Sequence, residues 1–228
     1  MKPIFSILIF FSINLFGEDF SDIVQKIDKK ISYSIIKVKI KKIKSKIDIN
    51  KTTEESLSIL FTEILVDKII PYWYGTEWSF EGHTTIPKKG YIACGYFVST
   101  TLKHIGFNLN RYKYAQQSGM IGAKTLQMGL PIKKFYPKEG IDISKTLVAS
   151  LKPGLYQVGL SYHVGYLLIR NNEAYFIHSN YLYSGVMLER AADSEAFVSG
   201  IYVISDISFN DKLIEKWILN DEIVIIHD

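Results

Sequence analysis

The sequence predicts an α+β domain in which helices come first along the chain and an antiparallel sheet follows. Apolar residues recur at helical spacing between residues 54 and 106, and short β-type runs replace them after Pro153. Strands and helices do not alternate in the way that a parallel sheet requires. With 228 residues, of which 47% are hydrophobic, the chain is long enough for one domain with a buried core and short additional segments.

The amino-terminal residues have the layout of a secretory signal. Residues 1–17 read MKPIFSILIFFSINLFG, with one lysine, an apolar stretch and a small residue, and two acidic residues follow. The apolar stretch is shorter than the ~20 residues that span a bilayer as a helix, so a transmembrane anchor is the second choice. We therefore expect a signal peptide over residues 1–17 and a secreted or periplasmic protein of the cell envelope.

A basic amino-terminal arm is expected over residues 18–50, before the main domain at residues 51–228. Residues 21–50 contain nine lysines and three aspartates, a net charge of +6, whereas the whole chain carries only +4. The nearly neutral body argues against a nucleic-acid partner. The arm could contact anionic envelope polymers, or its lysines could simply be solvated.

The arm has a pattern that allows two structures. Isoleucine and valine alternate with lysine between residues 31 and 49. The alternation through Ile36, Val38 and Ile40 fits a strand with a bulge or turn. Ile36, Ile40, Ile43 and Ile47 also form a helical stripe, so the pattern does not decide between strand and helix.

The first helix of the main domain is expected to begin at Thr52 or Thr53. Both are good capping residues, and two glutamates follow in the first turn. The apolar face of this helix extends to about Asp67, and Pro71 is expected to end it. Residues 72–90 are rich in glycine and aromatic residues without a sustained period, which predicts an irregular surface loop of the kind that often carries function.

A second helix is expected to begin at Cys94 and to end at Gly106. Cys94 is the only cysteine of the chain, which excludes an internal disulfide. Unpaired N–H groups and the positive end of the helix dipole meet at such a position. Both favour the thiolate, so we expect a lowered thiol pKa and a nucleophilic side chain.

The last third of the chain reads as a series of short strands. The runs are LYQVGLSY, HVGYLLIR, EAYFIHSN and GIYVIS. Asn171-Asn172 predicts a tight hairpin turn between two of them. A short helix is expected over Asn210–Leu219, and a strand is expected over the final IVIIH.

Two histidines lie on the two strands of the predicted hairpin. His163 opens one strand, and Gly165 after it leaves room for a neighbouring group. His178 lies on the next strand, where it could orient the ring of His163, although Asn180 could do so instead. A thiolate needs a proton shuttle, so Cys94, His163 and His178 form a hypothetical nucleophile, base and orienting group.

The residues give no indication of a metal or cofactor. A single cysteine excludes any cluster that needs several thiolates, and His83, His163 and His178 lack the spacing of zinc ligands. We therefore expect neither a metal site nor a cofactor.

Four strings resemble the landmarks of the NlpC-type cell-wall cysteine peptidases, a branch of the papain-like fold. They are PYWYGTEW, GYIACGYFV, YHVGYLL and YFIHSN, which occur in the family's order between about Tyr72 and Asn180. The resemblance implies a papain-like domain whose nucleophile helix packs on an antiparallel sheet. It also implies hydrolysis of amide bonds in peptidoglycan stem peptides through an acyl-enzyme.

The resemblance assigns roles to individual residues. It implies that Cys94 is the nucleophile, His163 the base and His178 the third catalytic member. The residues expected to lie at the substrate cleft are Tyr72, Tyr74, Gly95 and Tyr162.

Departures from the family pattern keep other functions open. Ala93 stands for the motif's Asp, Gly95 for its Ser, Tyr96 for its Gly and Tyr74 for its Trp. These changes put the usual peptide specificity in doubt. The alternatives are a catalytically silent papain-like module that binds a wall fragment or a protein, and amidase or acyl-transfer chemistry on another substrate.

Overall fold

The computed structural model describes residues 31–227. The expected signal peptide at residues 1–17 and the beginning of the basic arm lie outside the described residues. None of the helices in residues 31–227 combines the length and the apolar character needed to cross a bilayer.

The ambiguous segment of the basic arm is a helix, α1 (Tyr33–Lys44). Ile36, Ile40 and Ile43, which lie on one side of a helix, are buried in the main core. Val38, which a strand would place on the same face as Ile36 and Ile40, is 60% exposed. Burial of the helical stripe therefore decides between the two patterns.

The next helix begins as expected but does not end at Pro71. In α2 (Glu54–Thr62), the Thr53 hydroxyl accepts the N–H of Ser56 at 3.2 Å. The chain continues as a π-helix (Glu63–Ile69) and then as α3 (Ile70–Trp73). The prediction that Pro71 ends the helix is wrong, because the proline falls in the first turn of α3, where its missing N–H is tolerated.

The cysteine helix is present, and it lies on the sheet. Helix α4 (Cys94–His104) begins at Cys94 and ends shortly before Gly106, as predicted. The Thr101 hydroxyl is 2.8 Å from the hydroxyl of Tyr166, which lies on a central strand, and this buried contact fixes the helix to the sheet. Short elements follow: β1 (Asn108–Leu109), α5 (Arg111–Ala115), α6 (Gly119–Leu126), β2 (Lys133–Phe135) and α7 (Ile143–Ser150).

The carboxyl-terminal third forms most of a six-stranded antiparallel sheet. Its strands are β3 (Gly154–Gly159), β4 (Val164–Arg170), β5 (Glu173–Asn180), β6 (Gly185–Arg190) and β7 (Tyr202–Asp206). Together with β2 they have the spatial order β2-β7-β3-β4-β5-β6. The predicted turn joins β4 to β5, and both of its residues have positive φ, 54° for Asn171 and 59° for Asn172, as a two-residue hairpin turn requires.

The chain ends with a helix and a very short strand. Helix α8 (Asp211–Leu219) is capped by the Asn210 side chain, in agreement with the sequence. The terminal strand β8 (Glu222–Ile223) is shorter than the expected IVIIH strand, because it pairs only with the two residues of β1.

Both faces of the sheet are covered, which confirms the α+β prediction. Tyr166 and Ile177 face the larger core, which contains Phe97 of α4. Leu167 and Phe176, the next residues along their strands, belong to a second core with residues of α7. The alternation therefore places one helical layer on each side of the sheet.

Candidate active site

Cys94 is the first residue of α4. The backbone N–H groups of Gly95, Val164 and Cys94 itself favour its thiolate and so act to lower the pKa of the thiol. Ala93 is the N-cap residue and provides no side-chain cap. The first N–H groups of the helix therefore remain directed toward the thiol and the space beside it.

Gly95 is required by the packing of α5 against α4. A Cβ atom at this position would lie 2.6 Å from the carbonyl oxygen of Ala115, a contact that real Cβ atoms do not make. The serine of the resembling family would not fit here without movement of α5. The absence of a side chain at Gly95 thus has a steric cause in this fold.

Cys94 and His163 line one cavity of about 490 Å³. Gly95 also lines it, and Tyr162 lies at its mouth with 97% of its surface exposed. The other lining residues are Ala115, Gln117, Ser118, Gly119, Met120, Leu160, Ser161, Val164, Ile201 and Val203. Among these described residues none is an Asp, Glu, Lys or Arg, so the walls are apolar or neutral polar.

The two histidines of the hairpin are in direct contact. Nε2 of His163 lies 2.7 Å from Nδ1 of His178, and both side chains are buried. Gly165 makes this approach possible, because a Cβ there would lie 2.6 Å from the Phe176 ring and 2.9 Å from Cβ of His178. The space predicted beside Gly165 is therefore occupied by the side chains of Phe176 and His178 on β5.

Asn180, the alternative orienting residue, caps a turn. Its side-chain oxygen accepts the N–H groups of Leu182 at 2.7 Å and Tyr183 at 3.1 Å, at the connection from β5 to β6. The structure therefore brings His178, and not Asn180, into hydrogen-bond contact with His163.

A carboxylate that the sequence analysis missed lies behind the histidine pair. Nε2 of His178 is 2.8 Å from Oε1 of Glu189. The same oxygen accepts hydrogen bonds from the Ser194 hydroxyl at 2.5 Å and the Asn180 amide at 3.4 Å. Glu189 belongs to β6, and only the pairing of β6 with β5 brings it near His178.

The sequence prediction of a lowered thiol pKa is wrong for this geometry. Burial raises the pKa of Cys94, and this effect outweighs the backbone N–H groups that favour the thiolate. Burial also lowers the pKa of His163 to about 3, with a smaller contribution from His178. Within the described residues no hydrogen bond joins the thiol to the His163 ring. At rest the cavity is therefore lined by a neutral thiol and a neutral imidazole.

His178 is neutral as well. Burial lowers its pKa to about 3. The contact with Glu189 therefore joins a neutral N–H donor to a carboxylate rather than two full charges.

Two of the four expected cleft residues lie elsewhere. Tyr72 donates a hydrogen bond from its hydroxyl to the carbonyl of Ile31 at 2.5 Å, and its ring contacts Tyr33 of α1. Tyr74 packs against the main core. Neither lines the cavity beside Cys94, because α3 continues through Trp73 and directs this segment toward α1.

Two further histidines, His104 and His83, have separate environments. Nδ1 of His104 contacts the Tyr33 hydroxyl at 2.8 Å, and burial lowers the pKa of His104 to about 3. His83 is exposed and lines a different cavity together with Arg111. In residues 31–227 no group of three or more His, Cys, Asp or Glu side chains is arranged to hold a metal ion.

Comparison with the models of known protein families finds no match, and searches of curated proteins and of solved structures find none either.

Proposed function

We propose that the protein is a cysteine hydrolase of the NlpC type, with a papain-like domain, that cleaves amide bonds by attack of Cys94. The observation that carries this proposal is that Cys94 and His163 line the same cavity, and that Nε2 of His163 lies 2.7 Å from Nδ1 of His178. A nucleophile, a base within the same cavity and a group that orients the base are the parts that acyl transfer requires.

The reaction begins with a neutral pair. The thiol proton of Cys94 passes to Nδ1 of His163, the ring nitrogen not engaged with His178, as the sulfur attacks the carbonyl carbon of the amide. The C=O double bond opens to an oxyanion. Backbone N–H groups at the start of α4, those of Cys94 and Gly95, stabilise this charge.

Collapse of the intermediate completes the first half of the reaction. The C–N bond breaks, and the amine leaves with the proton that His163 had taken from the thiol. Water then attacks the thioester with His163 again as proton acceptor, the C–S bond breaks, and a carboxylic acid and the free thiol are released. No cofactor is needed for this cycle.

The substrate class is inferred from the resemblance and from the cavity. The resemblance favours peptidoglycan stem peptides. Because none of the described residues that line the cavity is charged, an uncharged part of the peptide fits best beside the scissile bond. Export to the cell envelope, and contact of the basic arm with anionic envelope polymers, belong to the same proposal. Lys41 and Lys42, which are exposed on α1, support the latter.

One alternative is favoured by a specific observation. The raised pKa of Cys94 and its lack of a hydrogen bond to His163 would also suit a silent module that binds a wall fragment or a protein partner without cleaving it. The experiment must therefore separate binding from turnover.

Purified stem peptides should be incubated with the reduced full-length protein and analysed by mass spectrometry. We expect cleavage products with the wild type, and loss of products with Cys94→Ser and His163→Ala. His83→Ala is the matched control, since His83 is a surface histidine of another cavity, and it should cleave like the wild type. Binding of the peptides without products from the folded, reduced wild type would contradict the hydrolase and favour the silent module.

A further inference from the structure

Four side chains form a continuous hydrogen-bonded chain that begins at the cavity. His163 contacts His178 at 2.7 Å, His178 contacts Glu189 at 2.8 Å, and the Ser194 hydroxyl donates to Glu189 at 2.5 Å. We propose that Glu189 is a positioning residue that sets the tautomers of both histidines, so that His163 presents an unprotonated Nδ1 to Cys94. This inference rests on the proposed hydrolase and names a residue that the sequence did not suggest.

The chemistry of each contact dictates the position of each proton. An ionised carboxylate only accepts hydrogen bonds, so Nε2 of His178 must carry a proton to donate to Glu189. A neutral imidazole has one N–H, and Nδ1 of His178 is then an acceptor. The contact at 2.7 Å therefore requires Nε2 of His163 to be the donor, which leaves Nδ1 of His163 without a proton.

The surroundings of Glu189 hold its carboxylate in this place. Oε1 accepts from His178, Ser194 and Asn180, and the side chain is 20% exposed. The neighbouring Arg190 does not compete for it, because its guanidinium binds Glu173 on β5 at 3.1 Å. In residues 31–227 no Lys or Arg forms an ion pair with Glu189. A carboxylate with three donors and no such partner is suited to fix the position of a proton.

The hydrogen-bonded chain also stabilises the positive charge that develops on His163 during the reaction. When His163 takes the proton of Cys94, its ring becomes positive while Nε2 still donates to His178. The His178 ring then transmits the effect of the Glu189 charge along the hydrogen-bonded chain. Glu189 would thus assist proton transfer without touching substrate or the reacting atoms.

The tautomers can be read directly by ¹⁵N NMR of the imidazole rings in the full-length protein near pH 7. In the wild type we expect the proton on Nε2 in both His163 and His178. In Glu189→Ala, Nε2 of His178 loses its acceptor, so the His178 proton should move to Nδ1 and that of His163 to Nδ1. Glu173→Ala is the matched control, because it removes the surface carboxylate of β5 bound to Arg190, and it should keep the wild-type tautomers.

A second variant distinguishes the effect of the Glu189 charge from its effect on the histidine tautomers. In Glu189→Gln the amide oxygen can stay with the three donors that now bind Oε1, so the wild-type tautomers should persist. On a cleaved amide, Glu189→Ala should lower kcat on the order of 10²-fold or more with little change in KM, a size typical of a lost general base. Glu189→Gln should recover part of that loss.

The wild-type spectrum alone can overturn the inference, even if no variant folds. A proton on Nδ1 of wild-type His163 contradicts it, and so does a Glu189→Ala spectrum with both rings unchanged. Because the NMR measurement needs no substrate, failure of peptide cleavage with the expected tautomers would refute the hydrolase and leave the role of Glu189 in place.

Discussion

Replacing Gly165 with alanine would insert a methyl group where β4 and β5 are in closest contact. The new Cβ would lie 2.6 Å from the Phe176 ring, 2.8 Å from the carbonyl oxygen of Ile177 and 2.9 Å from Cβ of His178. None of these is the end of a flexible side chain, since two belong to buried strand residues and one to the backbone. The strands must therefore move apart, and the His178 ring must move with them.

The expected cost follows from two opposing effects. Overpacking of a well-packed core costs about 1–3 kcal/mol, and three contacts place this site toward the upper end. The smaller conformational freedom of alanine in the unfolded chain returns about 0.4–1 kcal/mol. We expect a net loss of roughly 1–2 kcal/mol in the free energy of unfolding, or about 2–8 °C in Tm for a chain of this size.

The same substitution should weaken the contact between the histidines. A shift of about 0.5 Å is enough to misplace a functional group, and the Nε2–Nδ1 distance of 2.7 Å leaves little tolerance before the hydrogen bond is lost. Urea unfolding and imidazole NMR measure the two effects. Gly200→Ala is the control, because the nearest atom that its Cβ would meet among residues 31–227 is the Ser161 hydroxyl at 3.9 Å. A Gly165→Ala protein within about 0.5 kcal/mol of the wild type, with unchanged ring resonances, would refute the steric reasoning.

Two further predictions concern titration. Because burial raises the pKa of Cys94, the rate of its alkylation by iodoacetamide should rise with an inflection above the ~8.5 of a free thiol, and an inflection well below that value would contradict a neutral resting pair. His163 and His178, which are buried, and His104, which is half-buried, have folded-state pKa values of about 3, below their unfolded value of ~6.5. The stability that depends on their neutral form is therefore fully present above pH ~6.5 and is lost as the pH falls toward 3. Urea unfolding at pH 7 and pH 5 should show this decrease, with each histidine adding up to about 1.4 kcal/mol per pH unit, and equal stability at the two values would show that the rings are not held neutral.

Local signals in the sequence were sufficient for much of the fold. The capping threonine and acidic first turn marked the start of α2, and Asn171-Asn172 marked the turn between β4 and β5. These features act within a few residues, so they can be read without knowledge of tertiary contacts. The order of helices and strands followed from the same local patterns.

Features that depend on burial or on distant pairing were ambiguous or were missed. The pattern of α1 fits two periods, and only the packing of Ile36 and Ile40 into the core selects the helix. Desolvation of the Cys94 thiol depends on residues far along the chain, so the local effect of the helix dipole gave the wrong sign. Glu189 became visible only through the register of β6 against β5.

The hairpin of β4 and β5 also bears on how such a site assembles. His163 and His178 are 15 residues apart and are brought together by one short turn, whereas Cys94 lies on a helix far from them in sequence. Contacts of short sequence separation form with little loss of chain entropy. The contact between His163 and His178 can therefore form locally, as soon as β4 pairs with β5. Cys94 joins the site only when α4 packs against the sheet.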